Sequence, residues 1–326
     1  MMRAVVISSH DGPSAVRVDD VDVPSGAAHG LVEIDVRASG VSFPELLQTR
    51  GLYQDSPPLP FVPGVEAAGT VRSAPEGSGL VPGMPVVAVT GRGGLGQVAL
   101  APAAYVFPLP DGLDFAEGAA IPLNFFTAYF AVSLRARMRP GERVLVHGAA
   151  GGLGTALCSV ARALGGRVTA VVSDQGKAEF AAAAGAENVV LIPEDGDCRA
   201  AVMAAEPEGI DIVLDPVGGP RAVDSLRLLR PLGRYVVLGF TAGAITEIKV
   251  NRLLLRNLDV VGAGWGAYVL ADPVAFREVA EGALRLIADG ACTPIVGHRF
   301  PLEDAPAAFA VLEERRARGK VVVEMP

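Results

Sequence analysis

The residues with the clearest chemical potential run from Arg143 to Gly165, RVLVHGAAGGLGTALCSVARALG. Five residues of strand character, Arg143 to His147, enter a glycine-rich turn, and an apolar helix rich in alanine and leucine leaves it. Strand, turn and helix in that order open a dinucleotide-binding unit. Gly151 and Gly152 let the backbone turn tightly and pass close to a pyrophosphate, and Gly154 lets the helix sit near the strand. Ala150 and Leu153 complete the turn, and the free N–H groups and positive dipole end of the helix face the phosphates. The strict G-x-G-x-x-G pattern is broken, because its first position is Ala149.

The next strand decides which dinucleotide. In an NAD-specific unit an acid at the end of the second strand accepts hydrogen bonds from the ribose 2′-OH, and its charge would repel a 2′-phosphate. Here that strand, Arg167 to Val172, is followed by Ser173, so the acid is absent from the expected place. Asp174 comes one residue late and suits the N-cap of the helix that begins near Lys177. NADPH is therefore the expected cofactor, with Ser173 in its pocket.

These residues need elements to hold them, and the composition permits large ones. At 326 residues, 50% hydrophobic and 20% charged, the chain has room for two domains with sizeable cores. A net charge of −8 and a pI near 5.1 argue against nucleic acid or an anionic membrane surface as partner. Mean hydropathy is +0.38, yet Arg162 and Arg167 interrupt the most apolar region, so no membrane span is expected. The four-residue apolar run near the start is too short for a signal peptide. Cys158, Cys198 and Cys292 are far apart, which supports neither disulfides nor a cysteine metal cluster, and a cytoplasmic location is the simplest expectation.

From Arg3 to Ala120 short strand-like runs alternate with glycine and proline turns, and Val32, Ile34 and Val36 alternate with Glu33, Asp35 and Arg37 as in a half-buried strand. This predicts a compact β-rich domain. Prolines 57, 58, 60 and 63 stiffen the loop from Gly51 to Gly64, which suits a ligand wall. After Pro122 strands and helices alternate, which predicts an α/β, doubly wound parallel sheet covered on both faces. A strand at Leu258 to Gly262, an amphipathic helix over Asp272 to Ala288 and a last strand at Lys320 to Glu324 follow.

The order of these parts resembles the medium-chain dehydrogenase/reductase superfamily, and several strings resemble its zinc-free NADPH:quinone oxidoreductase branch. They are GVSFPELLQTRGLYQ at Gly40 to Gln54, PFVPGVEAAGTV at Pro60 to Val71, HGAAGGLG at His147 to Gly154, DPVGG at Asp215 to Gly219 and GKVVV at Gly319 to Val323. The resemblance implies a GroES-like β-rich catalytic domain, residues 1–121 and 264–326, and a Rossmann cofactor domain, residues 122–263. It also implies a homodimer paired along the strand near Leu258 to Gly262.

It further implies where a zinc enzyme of this superfamily would hold its metal, and there this chain has Ser42, Val65 and, by ungapped alignment on Thr127, Leu123. A catalytic zinc needs three ligands with N, S or O donors, so no metal is expected. The four-cysteine structural-zinc lobe is missing too, as residues 91–103 carry RGGLGQVALAP. Without a Lewis acid, the expected acceptor is one already electrophilic, a quinone or an activated double bond.

By the same resemblance Tyr53 lies at the substrate cleft beside the nicotinamide, with packing at a loop as its structural alternative. Ser42 stands where quinone reductases carry asparagine, and its hydroxyl can hydrogen-bond an acceptor oxygen. Glu45 reads equally as a surface or capping acid after Pro44 and as a functional group. Asn124 is expected at the substrate cleft, and Trp265 and Tyr268 read equally as lining that cleft and as packing a dimer interface. Thr127, Gly239, Phe240 and Lys320 are expected at the cofactor, and Lys177 matches a lysine that contacts the 2′-phosphate, although Ile192 replaces a tyrosine of that pocket. His10, His29, His147 and His298 share no spacing and read as structural or surface residues.

The leading expectation is a cytoplasmic, zinc-independent enzyme passing hydride from NADPH to a small-molecule quinone in a dry cleft. Two alternatives stand beside it: reduction of an α,β-unsaturated carbonyl or acyl thioester, with Tyr53 as proton donor, and a nucleotide-binding protein with negligible turnover.

Overall fold

A computed structural model describes residues 1–26, 30–55, 57–193 and 196–326, without the side chains of 269–271, and His29 lies outside the described residues. Numbered along the chain, the strands are β1 (Met2–Ile7), β2 (Val16–Val21), β3 (Leu31–Val41), β4 (Glu66–Ser73), β5 (Pro85–Val89), β6 (Val98–Pro102) and β7 (Val106–Pro108). Then come β8 (Arg143–Val146), β9 (Arg167–Val172), β10 (Asn188–Leu191), β11 (Ile210–Asp215), β12 (Leu229–Val237), β13 (Asp259–Gly262), β14 (Val296–Pro301) and β15 (Lys320–Glu324). The chain forms two units, residues 1–123 with 294–326 and residues 124–293.

In the first unit the alternation along β3 sends Val32, Ile34 and Val36 into a core shared with Val71, Val86, Leu95 and Phe309. The sheet runs β14-β15-β3-β4-β5-β7, with β6 also paired to β3. Register here positions chemistry. Strand β15 lies antiparallel to β3 with Val321 opposite Val41, which sets Lys320 beside Ser42. On the other side of β3, Ala38 pairs Ala68 of β4, which carries Glu66 alongside Gly40. A Cβ on Gly40 would overlap the Glu66 carboxylate and the Lys320 side chain, so only glycine lets those two meet across β3.

In the second unit all strands are parallel in the order β10-β9-β8-β11-β12-β13. Strand order reverses between β8 and β11, the place where doubly wound sheets bind ligands beyond the strand ends. Apolar residues such as Val144, Leu145, Ile212 and Val213 fill the strands because helices cover both faces. The second crossing between units falls at Pro294 rather than at 264, because the helix Pro273–Ala288 packs Phe276 against Phe126 and Trp265 of the α/β unit. No described helix is long and apolar enough to cross a membrane.

The broken glycine pattern also has a structural answer. Gly148, one residue before Ala149, takes φ +58° and makes the tight turn itself. Gly154, in the first turn of the helix Gly152–Ala163, lies so close to the preceding turn that a Cβ would overlap the Gly148 carbonyl oxygen, whereas a Cβ on Gly151 would meet nothing nearer than 3.6 Å. Gly154→Ala is therefore expected to lose about 3 kcal/mol of stability or more, because backbone cannot yield as a side chain does. Gly151→Ala is expected to stay within about 1 kcal/mol of the parent, and chemical denaturation of the two variants checks the contrast.

Candidate functional site

In the first unit three short segments converge on two buried carboxylates. After β3 the chain turns into the helix Phe43–Gln48 with Ser42 as N-cap, and Glu45 reaches back so that its Oε2 accepts from the Ser42 backbone N at 2.9 Å. Its Oε1 accepts from Val65 N at 2.9 Å. Glu66 Oε2 accepts from Leu123 N at 2.7 Å, and its Oε1 pairs with the Lys320 ammonium. Lys320 Nζ also donates to Ser42 Oγ at 2.5 Å, while Ser39 Oγ donates to the Glu66 carbonyl at 2.7 Å. The three positions expected to lack metal ligands, Ser42, Val65 and Leu123, are thus tied together through their backbone amides by Glu45 and Glu66.

This resolves Glu45: it is fully buried and caps the helix from within rather than sitting on the surface. Burial pushes its carboxyl up to about 7, against the pull of the Lys320 ammonium and the Val65 N–H. Lys320, expected as a cofactor contact, is 2% exposed, and its ammonium is committed to Glu66 and Ser42, so its side chain serves this network instead. Tyr53 is half-buried in the loop after Gly51, and burial raises its phenol further above the ordinary range, helped by Glu45 and Asp55. Its hydroxyl keeps its proton at neutral pH. Glu66 appears in the sequence only as one residue of the string PFVPGVEAAGTV, with no role of its own assigned there. The one signal was an acid inside the apolar run Val65–Ala68.

In the second unit the turn Gly148–Gly151 delivers the N-terminus of the helix Gly152–Ala163, whose N-cap Gly151 offers no side chain to its first N–H groups. Those donors, with no side chain at Gly151 to cover them, fit a pyrophosphate. Past β9, Lys177 Nζ bonds Ser173 Oγ at 2.9 Å, and Asp174 caps the helix Gln175–Ala183 by accepting from Lys177 N at 2.9 Å. The carboxylate at this strand end is thus engaged as a cap. At the ends of β11 and β12, Asp215 Oδ1 accepts from Val217 N and Gly218 N, its Oδ2 accepts from the Tyr235 hydroxyl, and Gly239 lies by the Pro216 carbonyl. Phe240 is partly exposed beside Gly218. Asp215, met in sequence only inside DPVGG, turns out to shape this loop.

Asn124 and Thr127 are buried three residues apart on the helix Pro122–Tyr129. Trp265 is buried among Phe126, Phe130, Tyr268 and Phe276, with centroids 5.2–6.4 Å away. It is a core aromatic of this unit rather than an open cleft wall. His147 is structural, as expected: it is buried, its Nε2 lies 2.7 Å from Ser225 Oγ, and burial lowers its pKa. Among the described residues no three His, Cys, Asp or Glu side chains cluster as metal ligands.

Residues 28–111 match the family described as alcohol dehydrogenase GroES-like domain, and residues 152–289 match the family described as zinc-binding dehydrogenase. Quinone oxidoreductase-like protein 2 of Rattus norvegicus is 34% identical over 90% of this chain and 85% of its own length. The solved quinone oxidoreductase from Thermus thermophilus, described together with its complex with NADPH, is 37% identical, with TM-score 0.84 over 99% of this chain and 100% of that one. A probable oxidoreductase from Mycobacterium abscessus is 38% identical, with TM-score 0.89 over 99% of this chain and 98% of that one.

The buried carboxyl of Glu45 generates a pH prediction. Its folded value of about 7 lies above its ordinary 4.5, so between those values the folded chain holds a proton that the unfolded chain has released. Its contribution to stability is complete below about 4.5, falls as pH rises and levels off above about 7. Unfolding free energies of parent and Glu45→Gln, measured across that window, are expected to draw apart by on the order of 3 kcal/mol, with the parent losing stability as pH rises. A constant difference would mean that Glu45 does not titrate there.

Proposed function

This chain belongs to the medium-chain dehydrogenase/reductase superfamily, with the quinone oxidoreductases, and from that premise we propose that it transfers hydride from NADPH to a quinone without zinc. The observation that carries this reading is the occupancy of the metal-ligand positions. Ser42, Val65 and Leu123 supply one hydroxyl and two aliphatic side chains, and the buried polar groups beside them are already bound to one another. Such a donor set does not fit zinc.

The cofactor positions suit NADPH. Backbone N–H groups at the start of the helix Gly152–Ala163 bind the pyrophosphate, and Ser173 with Lys177 meets the 2′-phosphate where an NAD enzyme would carry an acid. The bound nicotinamide supplies a hydride, two electrons with one hydrogen. The Ser42 hydroxyl hydrogen-bonds the acceptor's carbonyl oxygen, and one proton from solvent completes the hydroquinone. Thr127, Gly239 and Phe240 remain our assignment for the cofactor's surroundings, and Asn124 for the acceptor's.

A second reading rests on Tyr53, half-buried in the loop after Gly51 and protonated at neutral pH, as donor of a proton to the carbon of an α,β-unsaturated carbonyl or thioester. Following NADPH absorbance against quinones, enals and enoyl thioesters decides between them. Turnover confined to the alkenes would favour the second reading, and no turnover with tight NADPH binding would point to a binding protein.

We assign the protein to the cytoplasm, where its three free, buried cysteines suit a reducing environment. We also propose a homodimer. Strand β13 ends its sheet, and Val260, with Leu134 nearby, leaves an apolar edge exposed. Light scattering at micromolar concentration is expected to give twice the chain mass, and Val260→Lys to give monomer.

Lys177→Ala is expected to lower kcat/KM for NADPH tenfold or more while leaving NADH nearly unchanged, because a charge-assisted phosphate contact contributes about 1.5–3 kcal/mol. Equal losses for both cofactors would contradict the assignment.

A further inference from the structure

Lys320 and Ser42 divide a task that neither can perform alone. The ammonium is buried and cannot reach an acceptor, whereas Ser42 is half-buried, and its hydroxyl accepts from Lys320 Nζ at 2.5 Å. An oxygen whose lone pair is held by a cation keeps its own hydrogen to donate, and it donates more strongly for being polarised. Glu66 stabilises the buried cation, and Gly40 leaves room for the pair.

We propose that Lys320 is a positioning residue that acts through Ser42, polarising the serine hydroxyl toward the acceptor's carbonyl oxygen in the role a zinc ion plays in the metal-dependent members of the superfamily. This rests on the reading of the protein as a reductase of carbonyl-bearing acceptors. As hydride arrives, negative charge grows on that oxygen, and the hydrogen bond from Ser42 strengthens with it. Ser42 keeps its proton throughout, and the proton that completes the product comes from solvent, so the step balances as NADPH, quinone and one proton giving NADP⁺ and hydroquinone.

A double-mutant cycle separates this from a structural role. Removing Lys320 alone would strand Glu66, so the pair Lys320→Met with Glu66→Gln is used, which stays neutral and keeps an acceptor for Leu123 N. Ser42→Ala and the neutral pair are each expected to lower kcat for a quinone about tenfold or more, and their combination no further than either alone. A merely structural pair would multiply its loss with that of Ser42→Ala, and that result would overturn the proposal.

A second variant needs neither turnover nor removal of charge. In Ser42→Cys, treated with chelator, the introduced thiol faces the Lys320 ammonium, with the carboxylates of Glu66 and Glu45 opposing it. The native cysteines are buried and react slowly. The rate of thiol alkylation against pH is expected to place the introduced thiol at least about one pH unit below the ordinary value of about 8.5, and a value at or above that would overturn the proposal. A parent that reduces no carbonyl acceptor would instead overturn the reading of function, and the thiol titration would still decide whether Lys320 polarises position 42.

Discussion

Two carboxylates and one ammonium buried inside the first unit constrain the rest of that unit. Charges out of water are tolerated only when each is paired and hydrogen-bonded, and here Glu66 meets Lys320 while both Glu45 oxygens take backbone amides. Those partners come from positions 42, 65, 66, 123 and 320, so the pairing fixes the register of β15 on β3 and of β3 on β4. It also requires Gly40, since any side chain there would fill the space the pair occupies. A single residue's slip in either pairing would leave buried charge unmatched.

Function in this account follows from where charge is and is not available. In the first unit a cation sits beneath a half-exposed hydroxyl, suited to polarising a carbonyl without a metal. In the second unit the positive end of a helix and Lys177 suit phosphates, and the nearest carboxylate, Asp174, is engaged as a helix cap. Both arrangements use local geometry, a glycine turn or a strand register, to hold polar groups that free side chains would not hold.

Much of this was legible in the sequence because it is periodic or local. Strands β1 to β7 follow the apolar runs, the parallel sheet follows the alternation after Pro122, and Asp174 caps its helix as its type and place suggest. The long-range parts were not legible. Lys320 reads as a cofactor contact from its own string, since nothing nearby reveals partners 254 and 278 residues away. Trp265 reads as a cleft residue because its aromatic neighbours Phe126 and Phe130 are distant in sequence. Ala149 looked like a defect only because the positive φ at Gly148 cannot be read from spacing.

The claim that a buried ammonium bound to Ser42 organises the first unit has one direct measurement. The chain contains only three lysines, Lys177, Lys249 and Lys320, so a side-chain nitrogen spectrum of protein labelled at lysine holds three signals to assign. The Lys320 ammonium is expected to exchange its protons with water far more slowly than exposed Lys249, and to shift when Ser42 becomes alanine. Exchange as fast as that of Lys249, with no response to Ser42→Ala, would contradict the account.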